Sequence, residues 1–84
     1  MAHHKSAIKR IRQSERARLR NRSYKSRLKT EMKKLVSLAD KDQAVAQYRV
    51  VTSLLDRMVG KGIIHRNYAA NRKAKLARFV NQLG

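Results

Sequence analysis

Apolar residues recur along this chain at steps of three and four, and no stretch sustains the alternation of a strand, so the pattern is helical throughout. Helix breakers are scarce: glycine occurs only at 60, 62 and 84, and proline is absent. A first helix is predicted over about 7–39, with Ser6 placed to cap it before Ala7. On a helical projection Ala17, Tyr24, Leu28, Met32, Leu35 and Ala39 fall on one narrow stripe. Upstream of Ala17 the stripe vanishes: Ile8, Ile11 and Leu19 face elsewhere, and Arg10 sits on the line. The second half of this helix can dock on a core, and the first half cannot.

Asp40-Lys41-Asp42 marks the next break. Asp40 and Gln43 have capping-box spacing, and Asp42 is an alternative cap. A second helix over about 43–59 follows, with a seam of Ala44, Tyr48, Val51, Leu55 and Met58 that Val50 and Leu54 widen. Gly60-Lys61-Gly62 ends it, with Gly60 suited to a left-handed cap. A third helix is predicted over about 66–83, carrying Tyr68, Ala69, Leu76, Phe79, Val80 and Leu83 on one side. Ala70, Ala74 and Ala77 lie nearly opposite. They either admit close approach of something bulky or reflect alanine's helix propensity.

Short connections make the expected fold all-α: a three-helix antiparallel bundle forming one domain over residues 1–84. At 1.5 Å per residue the first helix is about 50 Å long and the others about 25 Å. The bundle can shelter only half of the first helix. The rest should protrude as a basic rod and fray in the free protein, because like charges repel and no core holds it.

Charge sharpens this picture. The chain has 22 basic and 5 acidic residues, a formal net of +17. Residues 1–34 carry 13 basic and 2 acidic side chains, residues 35–60 carry 3 of each, and residues 61–84 carry 6 basic and none acidic. Acids are too few in the charged segments to screen them, so a polyanion is the expected partner. The cations of the first helix point in every direction. A protein lying on one duplex needs one basic face, whereas a rod lodged in folded RNA can use them all.

The candidate contacts form two clusters. In the first helix they are Lys5, Ser6, Lys9, Arg10, Arg12, Gln13, Arg16, Arg18, Arg20, Asn21, Arg22, Lys25 and Arg27. Arginine pairs bidentately with phosphate and lysine acts as a point charge. Gln13, Asn21 and the nearby Ser14, Ser23 and Ser26 can donate to phosphates or sugars. The second cluster is Lys61, His65, Arg66, Asn67, Arg72, Lys73 and Lys75, around a helix start whose free N–H groups favour anions. His65 is either a stacking or phosphate contact, or a loop cap. Tyr24, Tyr48 and Phe79 fall on apolar stripes, so base stacking is poorly served and double-helical RNA read through phosphates and sugars fits better.

Other chemistry is not supported. Cysteine is absent, and the three histidines have no acid at metal-ligand spacing, so no metal site or cofactor is expected. Glu15, Glu31, Asp40, Asp42 and Asp56 form no catalytic pair and read as caps and counter-charges. No phosphate-cradling glycine loop exists, so neither an enzyme nor a small-molecule substrate is expected. No apolar run approaches the roughly 18 residues of a membrane span, and Met1 to Arg12 is too charged for a signal peptide. A membrane-active peptide needs one apolar and one basic face, which residues 5–16 lack. A leucine-zipper DNA binder is disfavoured because the apolar stripe ends by Ala39 and the later helices supply an intramolecular partner. A monomer is expected.

KSAIKRIRQSERARLRNRSYKSRLKT near the start and GKGIIHRNYAANRKAKL near the end resemble the bacterial small ribosomal subunit protein twenty family. The resemblance spans nearly the whole chain. It departs mildly at Asn71, where a basic residue is common, and at Ile8, where Lys or Leu often stands. It implies a three-helix protein of the cytoplasmic small ribosomal subunit. Such a protein binds small-subunit ribosomal RNA directly, takes part in assembly and has other ribosomal components as neighbours.

Overall fold

A computed structural model describes the backbone of residues 2–83 and the side chains of residues 8–83. Three helices follow one another: α1 (Ala2–Val36), α2 (Lys41–Gly60) and α3 (Arg66–Gln82). The molecule measures 66 × 20 × 13 Å, so it is a rod with a thickened end.

α1 starts before Ser6 and runs straight through it. The expected cap there is not used as one. Capping is a local preference worth about 1 kcal/mol, and nothing between Ala2 and Lys5 breaks a helix. The chain leaves the helix at Ser37, three residues sooner than expected. Asp40 is the reason: its backbone is extended (φ −82°, ψ 126°) and its carboxylate accepts the Gln43 N–H at 3.0 Å, capping α2. Ser37 to Ala39 must therefore make the reversal. Leu38 takes the packing position on the core, and Ala39 is exposed.

α2 packs against both other helices, which hardly touch each other. It supplies Ala44, Val51, Leu54, Leu55 and Met58 to the core; α1 adds Leu28 and Leu35, and α3 adds Ala69, Leu76 and Val80. Tyr24, Met32, Tyr48 and Phe79 pack at its margin. Val50, expected on the seam, is 43% exposed because it points between neither partner. Gln47 takes a buried place beside that seam. Its amide Nε2 donates both to the Glu31 carbonyl at 3.0 Å and to the Glu31 carboxylate at 2.6 Å. The Tyr48 hydroxyl donates to the Lys73 carbonyl at 3.3 Å, tying α2 to α3.

The left-handed residue after α2 is Gly62 (φ 72°), and Gly60 stays helical. The Gly62 N–H donates to the Val59 carbonyl and the Ile63 N–H to the Met58 carbonyl, the paired bonds of a Schellman ending. Ile63 then folds onto the core beside Met58. The two glycines should respond oppositely to alanine. Neither site crowds an added Cβ. Gly62→Ala should cost about 1–2 kcal/mol from backbone strain alone, and Gly60→Ala should gain up to about 1 kcal/mol of helix propensity. Urea melts of the two variants check both signs.

Candidate nucleic-acid interface

From Ile8 to Arg20 no side chain of α1 is buried, and only Ala17 is half-buried. The bundle grips α1 from Tyr24 onward, so the upstream part projects as a free rod. Helical spacing sends its cations around the whole circumference. Arg10 lies on the bundle-facing line. Lys9, Arg16, Arg20 and Arg27 take one flank, Arg18, Arg22 and Lys25 the other, and Arg12 points away. All are exposed. Gln13 is exposed with them, whereas Asn21 is half-buried and its Oδ1 is shut off from solvent with no hydrogen-bond partner. The side chains of Lys5 and Ser6 lie outside the described residues.

Most acids serve the fold. Glu31 is engaged by Gln47, Asp40 caps α2, Asp42 lies in its first turn, and Asp56 pairs with Lys73. That last contact is the only ion pair among the described residues. Lys73, a candidate contact from the sequence, thus already has a carboxylate partner. Among the described residues, the cations of the rod have none.

The structure brings the two sequence clusters together. α2 returns antiparallel to α1, so the α2–α3 turn arrives beside the point where the rod leaves the bundle. The Lys61 ammonium sits 5.9 Å from the Tyr24 ring centre, and Lys25 and His65 line one cleft. His65, Arg66 and Asn67 are exposed at this collar. His65 caps α3: its Nδ1 accepts the Asn67 N–H at 3.0 Å. A neutral imidazole so engaged carries its own proton on Nε2, a donor facing outward. The cap and the contact are therefore compatible roles. Further along α3, Arg72 lies 5.2 Å from the Tyr68 ring centre, and Lys75 is exposed.

Three residues were not singled out by the sequence pattern. Lys29 and Lys33 are exposed on the face of α1 turned toward α3; their signal was spacing, four and eight residues beyond Lys25. Gln47 carries no such signal, because a lone glutamine beside an apolar seam has the same pattern as a solvent-facing one. Among the described residues no group of His, Cys, Asp or Glu could hold a metal ion. Among the described residues no helix is long and apolar enough to cross a membrane.

A small helical bundle with an unneutralised cationic rod defines a polyanion-binding protein. The stripe from Tyr24 to Leu35 is already covered by α2, which leaves no zipper seam. The sequence profile of the family described as Ribosomal protein S20 matches residues 2–81. The small ribosomal subunit protein bS20 of Phocaeicola vulgatus is 48% identical over 83 residues, covering 99% of both chains. That of Beutenbergia cavernae is 50% identical over 86 residues, covering 99% of this chain and 100% of the relative. The chain belongs to the ribosomal protein S20 family.

Proposed function

We propose that this chain is a structural constituent of the small ribosomal subunit, in the cytoplasm. It binds small-subunit ribosomal RNA directly and stabilises the RNA fold during assembly. The observation that carries this reading is the rod: a helix with cations on all sides and no acid partners among the described residues. Folded RNA brings several phosphate backbones close together, and their repulsion opposes folding. A rod inserted among them neutralises all at once and releases their counterions. The names of the relatives, small ribosomal subunit proteins, agree with this.

The whole chain acts as one RNA-binding domain and is a monomer when free. The rod contacts are Lys5, Ser6, Lys9, Arg10, Arg12, Gln13, Arg16, Arg18, Arg20, Asn21, Arg22, Lys25 and Arg27. The collar adds Lys61, His65, Arg66 and Asn67, and α3 adds Arg72, Lys73 and Lys75. Other ribosomal components are its neighbours. The role is structural, with no substrate and no chemical step.

Competition binding tests the reading. Small-subunit ribosomal RNA should retain the protein at physiological salt against excess duplex DNA. Affinity should also fall roughly a thousandfold or more between about 50 and 200 mM salt, as expected for six to ten phosphate contacts. Equal displacement by DNA, or a flat salt curve, would reject it.

A further inference from the structure

α1 and α3 run parallel on the same side of α2, and a groove lies between them. Its floor is apolar: Leu28, Met32, Ile63, Ile64 and Leu76. One rim is Lys25, Lys29 and Lys33 of α1, and the other is Arg72 and Lys75 of α3. No acid lines it. At the mouth stand His65, offering its Nε2–H, and the half-exposed ring of Tyr68. The mouth encloses about 560 Å³, within the roughly 300–1,000 Å³ of clefts that hold a drug-sized molecule. A base with its sugar is of that size.

The α1 rim is also continuous with the rod. Arg18, Arg22, Lys25, Lys29 and Lys33 follow one another at steps of four, three, four and four, so they form a single line along the helix. That is one cation about every 5–6 Å, a row suited to a backbone with one charge per nucleotide. The line begins in the open beside the shallow trough of Ala17, Asn21 and Ser26 and ends inside the groove.

We infer that the groove between α1 and α3 holds a single strand of the RNA, led in along this line and clamped from both sides. This rests on the proposed function and extends it to a second mode of contact. Phosphates meet Lys29 and Lys33 on one rim and Arg72 and Lys75 on the other. Sugars and a base lie on the apolar floor, with Tyr68 as the stacking face. The rod takes duplex backbones on all sides; the groove takes one unpaired strand. Charge complementarity and continuity with the rod favour RNA over an acidic peptide helix as the occupant.

The test compares the full-length protein with two variants, Lys29→Ala/Lys33→Ala/Lys75→Ala and Tyr68→Ala, for binding to small-subunit ribosomal RNA. Thermal melts by circular dichroism establish that each variant is folded. The triple variant should bind roughly tenfold or more weakly. Its slope of log affinity against log salt should shrink by about 2, roughly 0.7 for each lysine on a single strand. Tyr68→Ala should lose roughly fivefold or more with the slope unchanged, as stacking predicts. Ultraviolet crosslinking of the wild-type complex should join the Tyr68 peptide to an unpaired nucleotide. If the folded triple variant keeps wild-type affinity and slope, the groove holds no strand and belongs to a protein neighbour or to solvent, while the ribosomal reading stands. If the wild type itself does not prefer the ribosomal RNA to DNA, both fall.

Discussion

Removing residues 1–16 should weaken binding to small-subunit ribosomal RNA on the order of a hundredfold or more, while the bundle melts as before. Five cations leave with the segment: Lys5, Lys9, Arg10, Arg12 and Arg16. The salt slope should shrink by about 4 if each neutralises one phosphate. Nothing in the core is lost, since the first core residue of α1 is Leu28 and the first packed neighbour is Tyr24. Binding assays on the truncated chain, paired with thermal melts, separate the two effects. Amide exchange in the intact free protein supplies the physical reason. The rod is helical from Ala2, yet its hydrogen bonds have no tertiary support. Amides of 8–20 should therefore exchange far faster than those of 44–58, which open only with the bundle. Equal protection of the two segments would mean that something other than RNA holds the rod.

The second large effect concerns the bundle. Leu55, in the C-terminal half of α2, is fully buried in the core of the bundle. Leu55→Ala empties a fully buried core position and should cost about 2–5 kcal/mol. For a domain of 84 residues that is a large share of a total of about 4–13 kcal/mol, at roughly 0.05–0.15 kcal/mol per residue. Leu19 is the control. It is the same residue type but 66% exposed on the rod, so Leu19→Ala should shift stability by less than about 0.5 kcal/mol. Urea denaturation of both variants decides it. A similar loss at Leu19 would place the rod within the cooperative unit.

The sequence made most of the architecture legible because its signals were long and mutually consistent. The seam of α2 repeats over five apolar positions, and all of Ala44, Val51, Leu55 and Met58 are buried. The loss of a stripe upstream of Ala17 marked where α1 leaves the bundle. What failed was local. Ser6 has a good capping side chain, but capping is decided by where the helix stops. Gly60 and Gly62 are equivalent by type, and only the hydrogen bonds of Ile63 and Gly62 pick the left-handed one. The joining of the two basic clusters was also invisible. It depends on the length of α2, which sets the α2–α3 turn beside Tyr24.

The Gln47–Glu31 contact has a consequence for placement. Leu28 and Leu35 sit two turns apart on one face of α1, and apolar contacts are non-directional, so on their own they fix its position along α2 only loosely. A buried amide tolerates no slide: displaced from Glu31, it would leave two N–H groups in an apolar interior without acceptors. These two hydrogen bonds thus act as a depth stop. They fix how far the rod stands out from the bundle and, once the bundle rests against the RNA, which phosphates each arginine can reach.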